Sequence, residues 1–175
     1  MENRNQIVVD IEERLAGIKN RRGLCLYYAN HTMRVLQEHG LRAVLQAGSL
    51  QWPRITPEQD DGISNTHFAY MWTPTEQASR LSVALGCLPE MHVWVGIIDT
   101  QEIVDFTTRH LRAECEARDM TWTAPDPPPY LWCSVKNIPS WTVYEANKDA
   151  TLYAYRVWHY LCDTNAFDTL GPVRA

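Results

Sequence analysis

Three residues, taken in chain order, carry the chemistry of a nucleophile and its base. Cys25 follows Arg22-Gly23-Leu24 and opens a run of helical character. His92 stands near the start of the β-rich run Met91-His92-Val93-Trp94-Val95-Gly96-Ile97-Ile98. Asp105 lies in the next such run, Glu102-Ile103-Val104-Asp105-Phe106-Thr107. A thiol that attacks a carbonyl needs a base to take its proton, and that base needs a carboxylate to fix its tautomer and orientation. A helix start suits the thiol, because unpaired N–H groups and the positive end of the dipole favour a thiolate. Gly23 lets the chain turn sharply there and leaves the sulfur accessible. The reading is Cys25 as nucleophile, His92 as base and Asp105 as orienter.

Other residues compete for these roles. His31 is six positions past Cys25, so a helix turns it roughly 240° away from the thiol. His39 returns to a similar face but sits roughly 21 Å further along the axis. His110 and His159 fall in later helical stretches. His67, in Thr66-His67-Phe68-Ala69, is the rival base: it is strand-borne but lacks an adjacent strand bearing an acid. Asp99 sits in the turn Asp99-Thr100-Gln101-Glu102, where aspartate is an ordinary turn residue. A two-residue turn at Thr100-Gln101 would set Gly96 opposite Asp105. His92 would then stand about four residues out of register with the acid, a gap for twist or a bulge to close. For the oxyanion, the Cys25 N–H is the natural donor. Asn20 is a candidate side-chain donor, though it also reads as the end of a helix. Trp94 reads as packing beneath His92.

The elements that must hold these groups follow from periodicity. Ile7, Ile11, Leu15 and Ile18 fall at helical spacing and predict an amphipathic helix over Gln6–Lys19. A second helix is expected from about Leu24 to His39, stopped by Gly40 in a left-handed conformation. Strands are expected around Ala43–Gly48, over Thr66–Trp72, and over the hairpin Met91–Ile98 with Ile103–Thr107. Thr108–Met120 reads as a helix, Trp141–Tyr144 as a strand and Leu152–Leu161 as a final helix. Two stretches read as loops: Arg54–Asn65, and Ala124-Pro125-Asp126-Pro127-Pro128-Pro129-Tyr130, whose four prolines fix φ and remove donors. Within Thr73–Pro89, Pro74 is the candidate start of a short helix through Glu76, Ala78 and Leu81.

With 175 residues, the chain suits one domain, read as 1–175, with a core over about 20–120 and a C-terminal extension over 121–175. A net charge of −5 gives no electrostatic case for nucleic acid or anionic membranes. No run approaches the ~20 apolar residues of a membrane span, and the expected location is cytoplasmic. Five widely spaced cysteines without a Cys-x-x-Cys pair argue against a disulfide framework and a metal site. Cys87, Cys115, Cys133 and Cys162 read as small buried hydrophobes.

Gly-x-Cys at a helix start, His-x-Trp on a strand and Val-Asp-x-Thr on the next resemble the transglutaminase-like branch of the papain-type superfamily. The likeness spans about Arg22–Thr108. Leu24-Cys25, Leu36 and Gly40-Leu41-Arg42-Ala43 are similar to its smaller bacterial members, including leader-peptide peptidases of lasso-peptide pathways. The resemblance implies an α+β fold with helices packed on an antiparallel sheet. It also implies acyl transfer or amide hydrolysis through a thioester, with Cys25, His92 and Asp105 in the roles above and no cofactor. A peptide, amide or acyl donor would be the partner, chosen by Pro53–Asn65 and Ala124–Trp141. Two other readings stand beside it: a non-catalytic binding module on the same scaffold, and an acetyltransferase using a thioester donor.

Overall fold

The computed structural model describes residues 4–18, 25–56, 66–73, 90–140 and 142–163, with positions 75, 77 and 80. Helix α1 (Arg4–Ala16) buries Ile7, Ile11 and Leu15, one stripe at helical spacing. Helix α2 (Cys25–Glu38) buries Tyr28, Ala29, Val35 and Leu36 on the face that meets α1 and the sheet. It ends at Gly40, whose φ of +75° supplies the left-handed residue that releases the chain into the first strand. His39 belongs to this packing: its Nε2 lies 2.7 Å from Asp10 of α1.

Among the described residues six strands form one antiparallel sheet: β1 (Ala43–Pro53), β2 (His67–Tyr70), β3 (His92–Ile97), β4 (Glu102–Asp105), β5 (Leu131–Ser134) and β6 (Val143–Ala146). The molecule is therefore α+β, with helices packed on an antiparallel sheet. The eleven residues of β1 form its spine. Strand β3 borders β1 over Ala43–Gly48 and β2 borders it over Leu50–Pro53, while β6 pairs with Gly48–Gln51. Because β6 shares partners with both β2 and β3, those two must occupy the opposite edge of β1. They lie end to end, and Tyr70 and His92 meet there, opposite Leu50 and Gly48. Ser49, between those rungs, accepts a hydrogen bond on its hydroxyl from the Trp72 N–H (3.3 Å) as the chain leaves the ladder.

Gly48 is squeezed between β3 and β6; a Cβ there would stand 2.0 Å from the Glu145 carbonyl oxygen. The other edge of β1 is closed by helix α4 (Lys148–Asp163). Thr151 Oγ1 accepts from Ala47 N–H at 3.0 Å and donates to the Ala47 carbonyl at 3.3 Å, and Tyr155 accepts from Leu45 N–H at 3.1 Å. This helix starts four residues before the expected Leu152, because Asn147 caps it: its Oδ1 accepts from the N–H groups of Asp149 and Ala150.

The sheet separates two apolar layers. Val93, Val95, Ile97, Val104 and Phe106 face α1, α2 and α4. On the opposite face Trp94, Ile103 and Leu131 pack together with Tyr144 against their edge. A third cluster joins Leu50, Trp52, Phe68 and Tyr70 to helix α3 (Leu111–Glu116) and Trp122. The helix expected over Thr108–Met120 is a 3-10 turn, Thr108–His110, followed by α3. Strand β5, which the proline-rich run obscures in the sequence, extends the sheet beyond β4, so residues of the expected extension complete the same sheet as the core. Most of Thr73–Pro89, with the helix expected at Pro74, lies outside the described residues. Among the described residues no helix is long and apolar enough to cross a membrane.

Candidate functional site

Cys25 is the first residue of α2 and is partly exposed. His92 is the first residue of β3 and is 1% exposed; Asp105 is the last of β4 and 2% exposed. Their separation depends on the β3–β4 turn, which is longer than the sequence pattern predicts. Ile97 pairs with Glu102 and Gly96 with Ile103, leaving a four-residue turn, Ile98–Gln101. Gln101 closes the turn at φ +53°, a left-handed conformation that no glycine signalled in the sequence. The register thus moves by two residues from the expected one, Gly96 standing opposite Ile103 rather than Asp105. His92 and Asp105 become diagonal neighbours on one face, within side-chain reach.

His92 Nε2 and Asp105 Oδ2 are 2.8 Å apart, and both groups are buried. The other Asp105 oxygen accepts from Thr107 twice, from its N–H at 2.8 Å and its hydroxyl at 2.5 Å. This is the local bonding an aspartate makes to the residue two places on. Tyr144 of β6 donates to Asp105 Oδ2 at 2.8 Å. The imidazole itself sits among three rings: Tyr70 at 5.3 Å, Trp94 at 6.1 Å and nearly parallel, and Tyr144 at 6.3 Å. Trp94 is held in turn by a hydrogen bond from its Nε1 to Gln46 (2.9 Å).

Burial alone would drive His92 toward its neutral form. The Asp105 charge and hydrogen bond outweigh burial, the Cys25 sulfur adds in the same sense, and together they raise the pKa above its ordinary value. Asp105 shows the opposite balance. Burial pushes its pKa up, but the charge of His92 and the bonds from His92 and Thr107 bring it below the usual carboxylate value. Burial raises Tyr144 well above an ordinary phenol, with the Asp105 charge next, so it stays a donor. His92 Nδ1 is buried without a hydrogen bond of good geometry; Cys25 is the thiol that acts on the ring.

The rival histidines go elsewhere. His31 packs on Tyr27 (centroids 4.4 Å), His110 Nε2 lies 3.1 Å from the Tyr28 hydroxyl, and His159 is exposed on α4. His67 sits 2.9 Å from the Thr66 hydroxyl and lines a cavity of about 930 Å³ with Trp52, Pro53, Pro125, Leu131 and Pro139. Both loops expected to govern recognition border this cavity, the first through Pro53, Ile55 and Thr56, the second through Ala124–Asp126 and Pro128. None of Cys25, His92 and Asp105 lines it. Residues 57–65 and Asn20 lie outside the described residues. Asp99 pairs with Arg42 at 2.9 Å on the surface. Cys115 is buried and Cys133 partly so; burial raises the pKa of both. Cys87 and the Cys162 side chain lie outside the described residues. Among the described residues no three His, Cys, Asp or Glu side chains gather as a metal-ligand set.

Two site residues escaped sequence reasoning in part. Thr107 stood within Val-Asp-x-Thr, and the Asp-x-Thr spacing is the signal for the bonds it makes. Tyr144 fell in an expected strand, but nothing local ties a residue 39 positions away to Asp105.

No protein-family model matches the chain, and no curated protein matches it. A genomics crystal structure is similar at 15% identity, over 90% of this chain and 71% of its own, with a TM-score of 0.49. That likeness carries neither family nor activity.

Proposed function

We propose that this protein is a cysteine-dependent enzyme of transglutaminase-like, papain-type architecture that transfers or hydrolyses an acyl group through a thioester. The observation that carries the reading is the division of labour around one ring: Asp105 occupies His92 Nε2 at 2.8 Å, and Nδ1 is left to Cys25. In this mechanism Nδ1 holds the Cys25 proton before attack, as a thiolate–imidazolium pair, and the thiolate adds to the carbonyl carbon. The tetrahedral oxyanion is received by the Cys25 N–H at the start of α2. The imidazolium returns the proton to the departing amine, leaving a thioester. Water or an amine then attacks the thioester, His92 takes its proton, and the thiol is regenerated. A peptide, amide or acyl donor is the substrate class, and a cytoplasmic setting suits a thiol that must stay reduced.

A second reading, a non-catalytic peptide- or ligand-binding module on this scaffold, is favoured by one observation. The 930 Å³ cavity between the two loops is mostly apolar and excludes all three site residues. Iodoacetamide labelling at mildly acidic pH, followed by mass mapping, separates the two. The enzymatic reading expects Cys25 to be labelled far ahead of Cys115 and Cys133, and His92→Ala to abolish that lead. Labelling of Cys25 no faster than an ordinary exposed thiol would leave the binding module.

A further inference from the structure

We propose that Tyr144 is a positioning residue of the site, its buried phenol sharing Asp105 Oδ2 with His92 so as to fix the carboxylate and moderate its hold on the imidazole. The inference rests on the enzymatic reading above and extends it to a residue of the C-terminal segment. The geometry is complete on both oxygens. Oδ2 receives His92 Nε2 and the Tyr144 hydroxyl, each at 2.8 Å; Oδ1 receives the Thr107 N–H and hydroxyl. An ionised carboxylate has about four acceptor sites, and here all are filled, so rotating it would break bonds on both sides. Thr107 comes from the loop that follows β4, and its position is set by Asp105's own backbone. Tyr144 is independent: it stands on β6, across β1, held by its rung with Leu50 and by its edge contact with Trp94 at 5.3 Å.

Sharing one oxygen has an electrostatic consequence. The phenol draws density from Oδ2, so the carboxylate competes less strongly for the proton on His92. Without the phenol, that oxygen would hold the imidazolium more tightly and make Nδ1 a slower proton relay. The groups around the ring that bear on this balance are Asp105 on β4, Cys25 on α2, Tyr70 on β2 and Tyr144 itself. Around the phenol they are Asp105 and, more remotely, Cys133 on β5.

The test is a titration of the His92 ring by ¹⁵N NMR, run beside Cys25 alkylation against pH. In Tyr144→Phe the pH at which the ring loses its proton should rise by roughly half a unit to one unit, about threefold to tenfold in the proton equilibrium. In Asp105→Asn the same second substitution should move nothing further, since Tyr144 acts through the carboxylate. Should Tyr144→Phe fail to fold, 3,5-difluorotyrosine placed at position 144 keeps the packing and donates more strongly; the midpoint should then fall. An unmoved His92 midpoint in the phenylalanine or the fluorinated protein overturns the assignment, as does an equal shift in the Asp105→Asn background. Failure of the enzymatic reading looks different: wild-type Cys25 would then alkylate like an ordinary thiol whatever Tyr144 does to the ring.

Discussion

Cys25, His92 and Asp105 differ in what each is asked to do, and substitutions should separate them. In the proposed reaction Cys25→Ala and His92→Ala should each abolish turnover, because both groups make and break bonds. Asp105→Asn should leave a residual rate, since the carboxylate only orients. The Cys25→Ala, His92→Ala double variant should cost little beyond either single change, as expected of one unit. The same pair also predicts a stability profile. His92 has a pKa raised above 6.5, so its contribution is complete below that pH and is lost as pH rises through the folded value. Asp105 has a pKa lowered below 3.8, so its contribution is complete above that pH and is lost as pH falls through the folded value. The excess stability of wild type over His92→Gln, read from urea midpoints, should therefore peak between 3.8 and 6.5 and shrink on either side. A difference that grows steadily toward pH 9 would contradict this.

At the scale of elements, Gly48 and the β3–β4 turn decide whether the side chains meet. Gly48→Ala must displace Glu145 and with it the strand that carries Tyr144. A loss on the order of 1–3 kcal/mol in chemical denaturation is expected, the range of overpacked cores. Gln101→Gly relieves a left-handed residue and should raise stability by up to about 1 kcal/mol. How far the sequence reveals these elements follows from what is local. The apolar stripe of α1, the glycine stop after α2 and the paired β runs are written in neighbouring residues, and the structure has them with shifts of a few positions at their ends. The turn length is not, because Gln101 carries no sign that it will adopt φ > 0. Strand β5 is masked by the prolines before it, and β6's place beside β1 depends on contacts about a hundred residues apart in the chain. The triad candidates were legible as types in order; their two-residue register was not.

Across the whole molecule, the segment after residue 120 is bound to the rest by more than connectivity. The Thr108 hydroxyl and Arg109 Nε donate to the Pro128 and Pro129 carbonyls at 2.7 Å, and Arg109 also pairs with Glu12 of α1. Strand β5 covers β4, while β6 and α4 cover the far side of β1. A chain ending at Pro129 lacks all three, and it should show no cooperative thermal transition by circular dichroism; a sharp two-state melt would show that the first 129 residues suffice.

The hydroxyls of Thr151 and Tyr155 carry a further consequence for how molecules of this protein meet one another. Over Leu45–Ala47, β1 has no neighbouring strand on that side, and an exposed row of this kind is a template for another chain to add to. Helix α4 and its capping residue occupy the row: two side-chain oxygens take the Leu45 and Ala47 amides, and the Asn147 N–H meets the Ala47 carbonyl at 2.8 Å. Thr151→Val with Tyr155→Phe keeps the shape and removes both oxygens, so the amides of Leu45 and Ala47 are left seeking partners. Such a double variant should remain folded at low concentration yet self-associate as concentration rises, giving light scattering that the wild type does not. Two hydroxyl groups would then be what keeps this sheet from growing past its own chain.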